Sequence, residues 1–341
     1  MFKELTKPFI IAEMSGNHNQ SLERALLIVE EAAKTGVDAL KIQTYTPDTI
    51  TIDSDRDEFK IKDKNSLWNG ETLYSLYSKA YTPWDWHNPI FDKCKELGII
   101  GFSTPFDFSA VDFLEKLNVP FYKIASFENY DLPLLKYTAK TGKPVIMSTG
   151  MIQLEELKES VHVLKENGCP EIVLLKCTST YPTIPKNTNL LTISDMQKKF
   201  PDCVIGLSDH TLGTAVSVAG IALGARVIEK HFTLSRAEGG VDSAFSMEPI
   251  EMKNLVSDVN IAYQSLGDVL YGPTEAEIPS LKFRRSLYVV KDVKNGEQFS
   301  PENIRSIRPA NGLSTKFYEE ILKKKARVDI VTGTPLNIDL L

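Results

Sequence analysis

A short apolar run, rich in β-branched residues and closed by polar ones, recurs eight times before residue 267, and an amphipathic segment follows each time. The runs span residues 9–12, 39–42, 99–102, 121–125, 144–147, 172–176, 204–207 and 226–228. The helix-like segments span 21–34, 84–97, 109–117, 132–140, 154–167, 190–199, 214–222 and 249–266. Runs that are apolar on both faces suit parallel strands covered by helices. Ser21, ahead of Arg24-Ala25-Leu26-Leu27, reads as a helix N-cap. Gly36, Gly98, Gly142, Gly168 and Gly224 each follow a helix, where a left-handed C-cap favours glycine. Eight β-then-α units in series place residues 1–267 in the α/β class as a (β/α)₈ TIM-type barrel. A doubly wound open sheet is the structural alternative.

Two stretches break the repeat. Residues 44–83 separate the second run from its helix, mixing Asp53, Asp55, Arg56, Asp57, Lys60 and Lys62 with Trp68, Tyr74, Tyr77 and Tyr81. Long loops in compact domains are functional or disordered, and the aromatics favour a lid or rim over the barrel mouth. Residues 268–284 read as a linker, with Gly272-Pro273 and Pro279. Residues 285–341 then form a small β-rich C-terminal domain, with strand-like pieces at 286–290, 330–331 and 336–338 and a short helix near 316–324. Its turns fall at Asn295-Gly296 and Thr332-Gly333. So small a unit is marginal alone, so docking against a barrel, its own or a neighbour's, is expected.

Composition closes off other classes. A chain that is 42% hydrophobic and 25% charged is neither disordered nor fibrous. With 39 basic and 45 acidic residues the net charge is −6, which leaves no overall basic footprint for nucleic acid. No apolar run approaches the roughly 18 residues of a membrane span, and Phe9-Ile10-Ile11-Ala12 is too short for a signal-peptide core. Cys94, Cys169, Cys177 and Cys203 form no C-x-x-C pair and read as reduced thiols of a cytoplasmic protein.

In a (β/α)₈ barrel the chemistry sits beyond the C-terminal strand ends, and here all eight ends are polar. They supply Glu13 with Asn17-His18-Asn19; Lys41 and Gln43; Ser103-Thr104; Lys123, Ser126 and Glu128; Ser148-Thr149; Thr178-Ser179 and Tyr181; Ser208-Asp209-His210; and Glu229, Lys230 and His231. Lys41 and Lys123 are either structural ion-pair partners or, with the Thr104, Ser148 and Ser208 hydroxyls, a cradle for a phosphate or carboxylate. His210 and His231 end adjacent strands. Each is singly an ordinary hydrogen-bonded histidine; together they suit a divalent ion such as Mn, Fe or Zn, with positions left open for water and substrate. Glu13 either caps a helix or serves as a base. His87 and His162 fall within helices and read as surface residues; Cys177 reads as core.

The motifs in order are Ile11-Ala12-Glu13-Met14-Ser15-Gly16-Asn17-His18-Asn19, Lys41-Ile42-Gln43-Thr44, Phe102-Ser103-Thr104-Pro105-Phe106, Tyr122-Lys123-Ile124-Ala125-Ser126-Phe127-Glu128, Ser148-Thr149-Gly150, Cys177-Thr178-Ser179-Thr180-Tyr181-Pro182, Gly206-Leu207-Ser208-Asp209-His210-Thr211 and Glu229-Lys230-His231-Phe232-Thr233. Together they resemble the sialic acid synthase family over nearly the whole chain. Arg285-Ser286-Leu287-Tyr288 and Ile307-Arg308-Pro309-Ala310-Asn311-Gly312 resemble the antifreeze-like (SAF) domain that follows the barrel in that family. Glu-Met-Ser-Gly-Asn-His-Asn in the first motif, Ala-Ser-Phe-Glu in the fourth and the aromatic segment from Leu67-Trp68 to Trp84 are most similar to the pseudaminic branch. Ser179 stands where sialic acid synthases carry Asn.

The resemblance implies condensation of phosphoenolpyruvate (PEP) with an amino sugar in its open aldehyde form, and release of phosphate. For the pseudaminic branch the sugar is 2,4-diacetamido-2,4,6-trideoxy-β-L-altropyranose; legionaminic or N-acetylneuraminic acid synthesis is the near alternative. It implies PEP contacts from Lys41, Thr104, Lys123, Ser126, Ser148, Ser179 and Ser208. Sugar contacts would come from Gln43, Phe106, Glu128, Tyr181, Asp242 and Arg308. Glu13, His210 and His231 would be catalytic, the two histidines holding a divalent ion, Mn²⁺ first with Mg²⁺ or Co²⁺ as alternatives. Arg308 would reach an N-acetyl group across a domain-swapped homodimer. The competing readings are a sugar-binding protein on an inactive barrel, and a Schiff-base aldolase using one of the lysines.

Overall fold

The computed structural model describes residues 1–63 and 67–341. The chain divides into two compact units, Met1–Gly267 and Asp268–Leu341.

The first unit holds β1 (Phe9–Glu13), β2 (Ala39–Thr44), β3 (Ile100–Pro105), β4 (Tyr122–Ile124), β5 (Val145–Ser148), β6 (Ile172–Cys177), β7 (Val204–Ser208) and β8 (Val227–His231). They pair in sequence order, all parallel, and β8 returns to β1, so the sheet is a closed barrel and not an open one. Two short helices, α2 (Pro47–Ile50) and α3 (Leu73–Ala80), lie in the long connection after β2. The barrel's own helices are α1 (Leu22–Thr35), α4 (His87–Glu96), α5 (Phe108–Lys116), α6 (Leu132–Ala139), α7 (Leu154–Glu166), α8 (Leu191–Lys199), α9 (Ala215–Ala222) and α10 (Pro249–Leu266). Local chemistry marks their ends: the Ser21 hydroxyl accepts the Arg24 N–H at 3.2 Å, and Gly36 closes α1 at φ +88°. No helix among the described residues is long and apolar enough to cross a membrane.

Strand alternation creates two separate cores. Ile10, Ala12, Leu40, Ile42, Tyr122 and Ile124 face outward and pack beneath the helices. Phe9, Ile11, Ala39, Phe102, Phe121, Ile146, Val173, Leu175 and Val227 fill the barrel interior, where Phe2 stands edge-on to Phe9 and Phe121 at 5.4 and 5.1 Å. Two residues further along each strand, the same inward parity changes chemistry. Ile11 gives way to Glu13, Ala39 to Lys41, Phe102 to Thr104, Phe121 to Lys123, Ile146 to Ser148, Leu175 to Cys177 and Val227 to Glu229. The lower interior is therefore oily and the mouth polar.

The long connection crosses that mouth. Trp68 Nε1 donates to the Val241 carbonyl at 3.0 Å, and its ring lies 6.2 Å from that of Tyr181. One expectation fails here. His162 is exposed on α7, but His87 is fully buried: its Nε2 lies 2.7 Å from Thr44 Oγ1 and its Nδ1 3.3 Å from the Pro83 carbonyl. As the first residue of α4 it faces the end of β2 and not solvent.

In the second unit, Glu275–Phe283 winds into a 3₁₀ helix inside the stretch expected to be a linker. Strand β9 (Ser286–Val289) pairs antiparallel with β10 (Ile304–Ile307), which the sequence reading missed. The piece expected at 330–331 joins through a bridge of Ile330 to Val293; in the piece expected at 336–338, Leu336 donates to the Leu287 carbonyl and accepts the Leu313 N–H beside a Tyr288–Pro335 bridge, and Ile338–Leu340 is 3₁₀. Helix α11 (Tyr318–Ile321) lies within the expected helical segment. Leu287, Val289, Val293, Phe299, Ile304 and Ile330 form this unit's own core.

Truncating Phe121 removes the ring shared by Phe2, Phe9 and Phe102. Phe121→Ala is expected to cost about 3–5 kcal/mol, read as a lower denaturant midpoint.

Candidate active site

The barrel register decides which charges meet. Glu13 on β1 sits between His231 on β8 and Lys41 on β2. Glu229, two residues before His231, is opposite Ser208 on β7. Glu13, Lys41, Lys123 and Glu229 thus converge as a buried quartet of two cations and two carboxylates. Lys41 ion-pairs with Glu13 and donates to Thr104 Oγ1 at 3.1 Å; Glu229 lies 4.0 Å from it. Lys123 donates to Ser148 Oγ at 2.6 Å and the Ile124 carbonyl at 2.9 Å, with Glu229 at 3.8 Å. Ser208 donates to Glu229 Oε1 at 3.1 Å, and Gln43 Nε2 donates to Glu13 Oε1 at 3.2 Å.

Burial and charge pull these groups apart. Burial, reinforced by Glu229 and opposed by Lys41, raises Glu13 to about 7. Glu229 is also penalised by burial, but Lys123 and Lys41 outweigh that and hold it below the usual carboxylate range. Burial disfavours the Lys41 ammonium, yet Glu13 and Glu229 together raise it; for Lys123 burial prevails and lowers it.

Beside the quartet stand the two histidines, with ring centres 5.3 Å apart. His210 Nδ1 lies 3.0 Å from the Thr178 carbonyl, so that nitrogen carries the proton and Nε2 offers its lone pair. Burial opposes a charged His210, but the Cys177 thiol 3.9 Å away outweighs it and raises the ring. Burial, then the charge that protonation of His210 would bring and the ammonium groups of Lys41 and Lys123, pushes His231 well down, so it is neutral. Among the described residues His231 Nδ1 is buried without a hydrogen-bond partner, 3.8 Å from Asp242. Paired lone pairs and an orphaned buried nitrogen suit a divalent ion. Among the described residues no third His, Cys, Asp or Glu completes a cage.

Apart from Arg308, the remaining residues named from the sequence line the same mouth. Ser126 Oγ accepts the Gly150 N–H at 3.2 Å, and a side chain at Gly150 would collide with the Ser126 and Ser179 hydroxyls. Burial raises Glu128 to about 7 against the pull of Lys123. Phe106 packs on Tyr45 at 5.2 Å, and Tyr181 on His210 at 4.6 Å. Asp242 is buried, takes a hydrogen bond from Ser15 and is raised by that burial. Arg308 is exposed just beyond β10 in the second unit.

Several contributors were not singled out from the sequence. Glu229 was seen only as a strand end, although its inward parity with Val227 marks it. Asn129 donates to the Ser148 and Gly150 carbonyls at 3.2 and 2.8 Å and so fixes the loop after β5. Lys230, next to Glu229 but of outward parity, is a structural cation: it holds Asp209 at 2.9 Å and the Thr211 carbonyl at 2.7 Å.

Residues 28–271 match the NeuB family and residues 284–341 the SAF domain. The chain belongs to the NeuB family. Within it, a pseudaminic acid synthase of Campylobacter jejuni is 47% identical over 330 residues, covering 97% of this chain and 95% of that protein. A pseudaminic acid synthase of Helicobacter pylori is 40% identical, covering 98% of each. The crystal structure of an N-acetylneuraminic acid (sialic acid) synthetase from Leptospira borgpetersenii in complex with citrate is 30% identical to this NeuB-family chain. It superposes with a TM-score of 0.71, over 81% of this chain and 90% of that one.

Because Lys41 is what opposes burial at Glu13, Lys41→Met is expected to raise the Glu13 pKa further. Isotope-edited infrared titration of the carboxyl band checks this; a carboxyl titrating near 4 in either protein contradicts the quartet.

Proposed function

We propose that this chain is a pseudaminic acid synthase, condensing PEP with 2,4-diacetamido-2,4,6-trideoxy-β-L-altropyranose in its aldehyde form and with water, to give pseudaminic acid and phosphate. The observation that carries the reading is the placement of two buried ammonium groups and their hydroxyl partners beside a pair of histidines, in one barrel mouth. The identity to pseudaminic acid synthases over nearly the full chain supports the choice of sugar.

Lys41 and Thr104 on one side, and Lys123 with Ser148, Ser126, Ser179 and Ser208 on the other, bind the carboxylate and phosphate of PEP. Fixed ammonium and hydroxyl donors in a water-poor site orient an anion without reorganising. Gln43, Phe106, Glu128, Tyr181 and Asp242 hold the sugar so that its aldehyde carbon faces C3 of the enol. The new C–C bond forms from the enol π electrons as the aldehyde C=O π pair moves onto its oxygen, which takes up a proton to become the product hydroxyl, leaving positive charge at the former C2. Water adds there, and the tetrahedral carbon then expels phosphate. Glu13, poised near neutrality, takes the proton of that water. His210 and His231 would hold a divalent ion, Mn²⁺ with Mg²⁺ or Co²⁺ as alternatives, which when bound polarises the aldehyde.

Assembly completes the reading. Val269, Leu270, Tyr271 and Phe283 are exposed at the start of the second unit, an apolar run suited to burial in a homodimer. There Arg308 would serve the partner's sugar.

Phosphate release measured with PEP, Mn²⁺ and a panel of sugars is expected with the trideoxy sugar. Turnover of N-acetylmannosamine in its place overturns the assignment. His210→Ala and His231→Ala are each expected to abolish metal-dependent turnover while circular dichroism stays unchanged. Full activity in either after chelation and metal add-back removes the ligand role. Glu13→Gln is expected to lower kcat about 100-fold or more. In the wild type, activity should fall as pH drops through about 7, because protonation of Glu13 removes the base; an acid limb near 4 would assign that proton elsewhere.

A further inference from the structure

The Asn17-His18-Asn19 motif lies at the mouth, yet among the described residues its side chains hydrogen-bond to neither the quartet nor the paired histidines. Instead, with the neighbouring Gln20, they bind two other segments, the loop after β8 and residues 79–82. Asn17 Nδ2 donates to the Phe232 carbonyl and to Ser246 Oγ, both at 2.9 Å, and Ser246 Oγ donates onward to the Asp242 carbonyl at 2.7 Å. His18 Nδ1 accepts the Gln20 N–H at 3.2 Å, so Nε2 carries the proton and faces Thr82 Oγ1 at 3.2 Å. Gln20 Nε2 donates to the Lys79 and Tyr81 carbonyls at 3.1 and 2.7 Å. Every one of the last three partners belongs to the root of the long β2 connection.

The backbone of this loop is held against its preference. Ser15, Asn19 and Gln20 all have positive φ, at 47°, 50° and 55°. Such conformations persist where the surroundings over-determine them. Gly16 shows why the approach is so close: a Cβ there would meet the Ala80 backbone, at the end of α3, at 3.2 Å. Asn17, His18 and Thr82 are fully buried. Burial, with Arg24 nearby, lowers His18 to about 4, so the ring stays neutral and keeps one donor and one acceptor across the working range.

What the connection delivers is the sugar side. Above its root, Tyr77 packs on Tyr45 at 5.6 Å, and Tyr45 on Phe106. Trp68 reaches Tyr181 and the Val241 carbonyl, next to Asp242. Among the described residues no hydrogen bond links the PEP cradle of Lys41, Lys123, Thr104 and Ser148 to the latch side chains.

We propose that Asn17, His18 and Gln20 are positioning residues that latch the root of the β2 connection, residues 79–82, to the loop bearing Asp242. They thereby fix the sugar half of the mouth while leaving the PEP half independent. The proposal rests on the synthase reading for its kinetic consequence, but not for its structural one.

Two variants test it. Thr82→Val removes the hydroxyl facing His18, and Gln20→Met removes the two carbonyl contacts from an exposed side chain, where folding is not at stake. Each is expected to raise the sugar KM about five- to tenfold, the scale of one or two lost hydrogen bonds. The PEP KM should stay within about twofold, and limited proteolysis between residues 51 and 72 should speed up. Sugar and PEP KM rising together, or proteolysis unchanged in both variants, overturns the latch. If the wild type turns over a different sugar, the synthase assignment fails, and the KM comparison is made with that sugar. If it turns over none, the proteolysis rates alone decide the latch.

Discussion

Four ionised groups cannot be taken out of water unless they answer one another, and this barrel is organised around that constraint. Each buried ion costs several kcal/mol of desolvation. Glu13, Lys41, Lys123 and Glu229 offset that cost only because closure of the sheet brings β1, β2, β4 and β8 around one axis. The quartet is neutral as a whole but not uniform. Glu229 touches both lysines and stays ionised; Glu13 is dominated by burial and sits near 7. Glu13 can therefore gain or lose its proton near neutral pH, which is what a group that handles a proton requires.

Strand parity separates chemistry from support. Glu229 and Lys230 are neighbours in sequence, both buried and both charged. The first points inward to the mouth. The second points outward to Asp209 and the carbonyls of the loop after β7, where Asp209 also accepts from Ser217 at 2.7 Å. A sequence window shows two charged residues in a row; the period of two assigns them to different tasks.

That same periodicity decided what the sequence could disclose. The eight strands were legible because each is an apolar run between glycine-marked helices, and their boundaries differ from the structure by only a few residues. The polar strand ends followed at once, and the family motifs sharpened them. What escaped was long-range or non-periodic. His87 read as a surface residue because its helix looks amphipathic, but Thr44 and Pro83, brought to it by the fold, enclose it. Asn129 follows the fourth motif directly, yet its purpose is to hold the loop after β5, which no local pattern reveals. Strand β10 is half-exposed and pairs with a strand fifteen or more residues earlier, so its signal is tertiary.

The histidines show how one side chain is used in two ways by its surroundings. His210 and His231 face each other in the mouth, and their electrostatic surroundings drive them apart, one ring raised and the other lowered. His18 and His87 both bond to the root of the β2 connection, at Thr82 and Pro83, and both are neutral and lowered to about 4 by burial. Each presents a donor on one ring edge and an acceptor on the other: His18 between Gln20 and Thr82, His87 between Pro83 and Thr44. A lysine could donate but not accept, and a carboxylate could accept but not donate. Neutral imidazole spans two backbone elements at once without bringing a charge into the core. The root is therefore pinned at Thr82 and at Pro83 by groups that add no charge near the quartet.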